Sequence, residues 1–214
     1  MSLQQAMKAC PAIAILRSSS AERYGDVTDV LVDAGIRAVE FTFTAPDVAG
    51  AIRAYAARKP GDVALGAGTV TTAAQAREAV DAGATYLISP AVCLDVVEEG
   101  TRLGVPVLPG ASTPTEILTA WRAGAALVKV FPVSALGGPS YIKAVRGPLP
   151  DIPLVPTGGV DAANADGYLA AGAVGVGVGS PLLADACEPG GDLDALAGRT
   201  RALVAVVTEG VGAR

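Results

Sequence analysis

Two charged residues stand where charge is costly. Lys129 interrupts the apolar run Leu127-Val128-Lys129-Val130-Phe131-Pro132, and Glu40 interrupts Ala38-Val39-Glu40-Phe41-Thr42-Phe43. Each run reads as a short buried strand. Side chains alternate across a strand, so Leu127, Lys129 and Phe131 share one face, and Ala38, Glu40 and Thr42 share one face of theirs. An ammonium taken out of water needs a partner charge or gives up its proton. A neutral amine in a dry pocket attacks carbonyl carbon. The competing reading is a lysine that packs its stem and sends its head to solvent; the apolar flanks on both faces argue against it. Glu40 would otherwise be a salt-bridge partner in the core, but a carboxylate inside a strand is also a candidate for moving protons.

Composition narrows the chemistry. The 214 residues include no histidine, which removes Ser-His-Asp triads, histidine-ligated zinc and histidine general bases. Proton transfer falls to a carboxylate, a lysine, a tyrosine or water. Hydrophobic residues make up 51% and charged residues 17%, so the chain builds a large core, and aromatics at 4% leave that core to Ala, Val, Leu and Ile. A net charge of −5 speaks against a nucleic-acid partner. No apolar run reaches membrane-spanning length, and the N-terminus lacks a signal-peptide pattern. Cys10, Cys93 and Cys187 are odd in number and lack metal-type spacing, which fits reduced thiols in the cytoplasm. Cys93 and Trp121 read as packing residues.

The elements that would position Lys129 and Glu40 follow a simple rhythm. Strands are expected at Ala12–Arg17, Ala38–Phe43, Val63–Thr69, Thr85–Ser89, Val105–Pro109, Leu127–Pro132, Leu154–Thr157 and Val174–Val178. Between them, capping signals open helices: Ser19 with Glu22, Thr72 with Gln75, and Thr113-Pro114-Thr115-Glu116 with proline at the first helical position. Further helices are expected over Pro46–Arg58, Leu94–Leu103, Ser140–Val145, Ala162–Ala171 and from Leu193 onward, with a turn at Lys59-Pro60-Gly61. Four helices end alike, at Ala34-Gly35, Ala82-Gly83, Ala123-Gly124 and Ala171-Gly172, and each hands directly to an apolar strand. Eight strand–helix units in this length predict a compact parallel (β/α)8 TIM barrel as one domain over 1–214, with an open doubly wound sheet as the rival.

A (β/α)8 barrel gathers its site at the C-terminal ends of the strands. Arg17 ends strand one. Glu40, Thr42 and Thr44 lie on one face of strand two and its extension. Thr69 ends strand three, Ser89-Pro90 strand four, Lys129 and Phe131 strand six. Thr157-Gly158-Gly159 follow strand seven and Gly179-Ser180 follow strand eight. Loops after strands seven and eight bind phosphate in such barrels, with backbone N–H groups as donors; plain turns are the alternative.

These residues resemble a family. Glu40 in VEFTF, GAGTV at Gly66–Val70, ISP at Ile88–Pro90, Pro109-Gly110 followed by STPTE, KVFP at Lys129–Pro132, PTGG at Pro156–Gly159 and GVGS at Gly177–Ser180 look like the class I 2-keto-3-deoxy-6-phosphogluconate (KDPG) aldolases and the overlapping 4-hydroxy-2-oxoglutarate (KHG) aldolases. The motifs run in the family's order over roughly residues 10–185. The resemblance implies a trimeric barrel needing no cofactor or metal. It implies that Lys129 forms a Schiff base, Glu40 moves protons, Thr69 and Phe131 line the substrate site, and Gly158, Gly159 and Ser180 hold phosphate. Thr157 matches a threonine that favours the gluconate stereoisomer. The implied substrate is a phosphorylated keto acid, cleaved to pyruvate and glyceraldehyde 3-phosphate, with glyoxylate as another possible aldehyde product.

One position departs. Many members carry arginine four residues after the glutamate, and Thr44 stands there. Thr44 offers one neutral hydrogen bond and no charge. Arg17, at the end of the neighbouring strand, is long enough to fill that space and meet the substrate carboxylate, with Thr69 adding a donor. A surface pairing of Arg17 with Glu22 is the bland alternative, and backbone donors near Pro90 are another way to hold the carboxylate. A metal-independent phosphosugar isomerase or epimerase on the same barrel is the rival function, and a non-catalytic binding barrel a more distant one.

Overall fold

The computed structural model describes residues 1–58, 61 and 63–209. Within them run β1 (Ala12–Leu16), β2 (Ala38–Thr42), β3 (Ala64–Gly68), β4 (Tyr86–Ile88), β5 (Val107–Leu108), β6 (Gly110–Ala111), β7 (Val128–Val130), β8 (Leu154–Pro156) and β9 (Val176–Val178). The helices are α1 (Leu3–Ala9), α2 (Tyr24–Asp33), α3 (Val48–Arg58), α4 (Ala73–Asp81), α5 (Leu94–Leu103), α6 (Pro114–Arg122), α7 (Pro139–Arg146), α8 (Ala165–Ala170), α9 (Ser180–Leu183) and α10 (Leu193–Glu209), with a 3-10 turn at Val133–Leu136.

All strand pairings are parallel, in the order β5-β4-β3-β2-β1-β9 and β6-β7-β8. Pro109 has no N–H to give, so the fifth strand breaks there into β5 and β6. Its two halves pair with different neighbours, but the Pro109 carbonyl still accepts from Lys129 N–H at 3.0 Å. A parallel bridge between Thr157 and Gly177 joins the end of β8 to β9, and Val174 N–H donates to the Leu154 carbonyl at 3.0 Å. The sheet therefore closes into a (β/α)8 barrel, and the open-sheet alternative falls.

The strands are buried on both faces. Val39, Phe41, Val128 and Val130 pack outward in the core beneath the helices. Ile13, Ala38, Ala64, Tyr86, Ile88, Leu108 and Val155 pack inward, which is the alternation expected for β2 and β7. Burial of each such aliphatic side chain contributes about 1.5–3 kcal/mol. Leu3 and Ala6 of α1 complete this inner cluster. Sequence reasoning missed α1, although the signal was present: Ser2 and Gln5 form a reciprocal capping box. Each of the four repeated helix ends closes the same way. Gly35, Gly83, Gly124 and Gly172 have φ between 96 and 110°, and the next residue's N–H returns to the carbonyl five residues back, as Ile36 does to Leu31 at 2.9 Å.

Some boundaries move. Ser19 and Glu22 form no capping box; α2 starts only at Tyr24, with Arg23 at its cap. The serines satisfy local backbone instead, Ser18 Oγ accepting from Ser20 N–H and Ser20 Oγ from Glu22 N–H, both at 3.2 Å. The predicted caps at Thr72 and at Thr113 with Glu116 form. The 3-10 turn and α9 were not expected. Trp121, expected to pack, is 37% exposed. The turn expected at Lys59-Pro60-Gly61 and the helix expected past 209 lie outside the described residues, apart from Gly61.

Candidate active site

Lys129 is 5% exposed and Glu40 fully buried, both on the inner face of the barrel. With Thr157, they line one narrow void, walled by Ile13, Ile15, Ile88, Leu108, Val155 and Gly177. Three strands, β2, β7 and the end of β8, thus bring their polar residues to one place. Room for Glu40 is made by the adjacent strand β3: a Cβ at Gly68, the ladder partner of Thr42, would overlap the Glu40 carboxylate, and one at Gly66, the ladder partner of Glu40, would overlap the Tyr86 ring. The glycines of the GAGTV segment act here by being small.

Neither carboxylate oxygen of Glu40 has a hydrogen-bond partner among the described residues. Burial pushes its carboxyl above the ordinary carboxylate range, opposed by the charges of Lys129 and Arg17. Tyr86 lies close enough for the Glu40 charge to add to the effect of burial on its own phenol, but its hydroxyl is spent on the Val39 carbonyl at 2.9 Å. Lys129 Nζ stands 5.2 Å from the centroid of the Phe131 ring and forms no hydrogen bond or ion pair with another described residue. Such an orphaned pair of buried groups is costly in a low-dielectric interior and marks a functional-site candidate.

Around this centre stand the strand-end residues. Arg17 Nη2 donates to Thr69 Oγ1 at 3.1 Å, two strands away; the pairing with Glu22 does not form. Thr69 has φ +56°, a left-handed conformation that costs a non-glycine residue about 1–2 kcal/mol and fits a functional constraint. Thr44 is exposed, its Oγ1 2.9 Å from Thr42 Oγ1, which itself donates to the Leu16 carbonyl at 2.9 Å. Pro90 is half-buried, with its carbonyl close against Gly110. Phe131 is 37% exposed and its ring lies beside Gly158, linking Lys129 to the glycine turn. Gly158 and Gly159 have φ of +94 and +78°. The backbone N–H groups of Gly158, Gly159, Gly179 and Ser180 donate to no other described backbone group. Sequence reasoning missed Tyr86, Asn164 and Arg199 near these elements; Tyr86 and Arg199 act through contacts with other strands and helices, and Asn164 through the turn just before it.

Comparison with known proteins gives a consistent result. A family model described as KDPG and KHG aldolase matches residues 3–197. A probable 2-dehydro-3-deoxy-6-phosphogalactonate aldolase of Rhizobium meliloti is 39% identical over 173 residues, 80% of this chain and 81% of the relative. A 2-dehydro-3-deoxy-phosphogluconate aldolase of Dickeya dadantii is 35% identical over 208 residues, 97% of each. The crystal structure of a KDPG aldolase from Legionella pneumophila, with pyruvate captured at low pH as a covalent carbinolamine intermediate, is 28% identical. It superposes with a TM-score of 0.85, covering 93% of this chain and 96% of that one.

Proposed function

The chain belongs to the KDPG and KHG aldolase family, and from that premise we propose that it cleaves 2-keto-3-deoxy-6-phosphogluconate to pyruvate and glyceraldehyde 3-phosphate through a Schiff base on Lys129. The observation that carries this reading is the buried pair: Lys129 and the unpartnered Glu40 line one dry void. Lys129 Nζ adds to the C2 carbonyl, and loss of water from the carbinolamine gives an iminium. Glu40 takes the proton of the C4 hydroxyl, the C3–C4 bond breaks, and its electron pair moves into the iminium to leave an enamine. The aldehyde departs. Glu40 returns its proton to C3, and water releases pyruvate and the free lysine. The iminium is a fixed cation beside Glu40, so its formation favours the carboxylate form that the next step needs. An electron sink made this way requires no metal ion.

Thr157 is 5% exposed on the wall of that void, and the family resemblance attaches to a threonine there a preference for the gluconate over the galactonate stereoisomer. Pyruvate release from the two stereoisomers, with a chelator present, tests the function: faster release from the gluconate supports the reading, and no release from either leaves the isomerase or epimerase reading standing. A homotrimer, as the family resemblance implies, is part of the same proposal.

Arg17 takes the substrate carboxylate. Its guanidinium already spans the mouth to Thr69, whose hydroxyl proton remains available as a second donor; Thr44 and Pro90 border this end. A hydrogen bond to a charged group contributes about 1.5–3 kcal/mol, so Arg17→Ala is expected to cut kcat/KM on the keto acid by about 10–150-fold. Arg17 is exposed, and melting temperature should change little. An unchanged KM in Arg17→Ala would put the carboxylate elsewhere.

The substrate phosphate lies against the amides of Gly158, Gly159 and Gly179 and the amide and hydroxyl of Ser180. Gly159 is a poor test position, since a Cβ there would meet Ser134 at 2.7 Å. Ser180 is exposed at the first turn of α9, where an acidic residue is compatible with folding. Ser180→Asp is expected to weaken KM for the phosphorylated substrate by about a hundredfold, two charge-assisted bonds' worth, while pyruvate imine formation stays within about twofold. Equal losses in both would remove the phosphate assignment.

A further inference from the structure

A glycine turn and a single helical turn are poor fixtures by themselves. Glycine loses more conformational freedom on ordering than any other residue, and an isolated turn of helix is unstable. Yet amides can hold an anion only if they stay aimed at it. Two side chains outside the barrel meet this need. Asn164, just before α8, donates from Nδ2 to the Gly159 carbonyl at 3.0 Å and accepts from Asp161 N–H at 3.1 Å through Oδ1. It therefore spans the chain that leaves Gly158-Gly159. Arg199, on α10, donates from Nε to the Leu182 carbonyl at 2.7 Å and from Nη2 to the Leu183 carbonyl at 3.2 Å. These are the last two residues of α9, whose first residue is Ser180. Asp161, Pro181, Leu182 and Arg199 border one cleft between the segment leading into α8, the turn of α9, and α10, so the two turns share a back wall.

We propose that Asn164 and Arg199 are positioning residues for the phosphate grip, each holding one of its two turns by backbone carbonyls so that the amides face the anion. The proposal rests on the phosphate assignment made above. Asn164 fixes the direction of the Gly159 peptide. The planar guanidinium of Arg199 locks two successive carbonyls of α9, a geometry that an ammonium does not reproduce.

The test compares a reaction that uses the phosphate with one that does not. KM and kcat for 2-keto-3-deoxy-6-phosphogluconate are measured beside the rate of borohydride-trapped imine formation with pyruvate alone, for Asn164→Ala, Arg199→Gln, Arg199→Lys and the control Ser180→Asp. KM is expected to rise about tenfold in Asn164→Ala and Arg199→Gln, the worth of one or two hydrogen bonds, with kcat and pyruvate trapping within about twofold. Arg199→Lys is expected to recover less than half of the loss. Equal losses in both reactions, or unchanged KM, would overturn the positioning role while Ser180→Asp still discriminates. Full recovery in Arg199→Lys would show that charge, not geometry, matters at that position. If Ser180→Asp itself fails to discriminate, the phosphate assignment falls and the positioning role with it.

Discussion

Lys129→Met is expected to yield a folded protein with no turnover above background. Methionine keeps the unbranched stem in a position that is 5% exposed, and Glu40, losing the opposing charge of Lys129, can take up a proton and stay neutral. Melting should remain cooperative, and any loss of stability at neutral pH should close on acidification as Glu40 takes up its proton. Among the described residues, no other lysine lines the void. Lys8 lies exposed on α1, whose buried residues close the barrel interior, and Lys143 lies exposed on α7, both away from the void that Lys129 lines. Steady-state pyruvate release and a thermal melt of the same preparation check both halves. A variant that melts normally and retains even a tenth of parental turnover would displace Lys129 from the nucleophile's role.

Glu40→Gln is expected to lose about 10²–10⁴ in kcat, the usual worth of general acid–base catalysis, while still accepting pyruvate. Its stability should move the other way. Burial raises the Glu40 carboxyl above its ordinary value even after Lys129 and Arg17 oppose the shift. A group whose folded pKa is raised favours the native state below its unfolded pKa, and that contribution is lost as pH climbs through the folded pKa. Glutamine carries no such penalty. Glu40→Gln should therefore melt above the parent at pH values beyond the raised carboxyl range, and the difference should close on acidification into the ordinary carboxylate range. Thermal melts across pH measure this. A gap that widens toward acid would contradict the burial argument, and a loss in kcat of only a few-fold would hand the proton to another group.

The inner and outer faces of β2 and β7 were legible in the sequence because a period of two sorts residues unambiguously once a strand is buried on both faces. That is how Glu40 and Lys129 emerge together from two separate apolar runs. The glycine-terminated helices were legible for a similar reason: left-handed backbone at Gly35, Gly83, Gly124 and Gly172 is a local requirement with a local residue type. What escaped depends on distance. Nothing near Thr69 announces a left-handed backbone at a β-branched residue. Gly66 and Gly68 look like a flexible string until the Tyr86 ring and the Glu40 carboxylate are seen to occupy the space beside them. The α2 start was misplaced because Ser19 followed by Glu22 matches a capping box, whereas the neighbouring Ser18 and Ser20 bond the turn that precedes the helix. Arg199 gives no signal at all; its partners are the carbonyls of Leu182 and Leu183, 17 and 16 residues away.

The most direct measurement is the mass of the intact protein after incubation with pyruvate and borohydride, followed by peptide mapping. Reduction fixes an imine as a stable secondary amine. A Schiff-base aldolase centred on Lys129 gives one reduced pyruvyl adduct per chain, confined to the peptide that contains Lys129. No adduct, or an adduct on Lys8 or Lys143 with Lys129 unmodified, contradicts it.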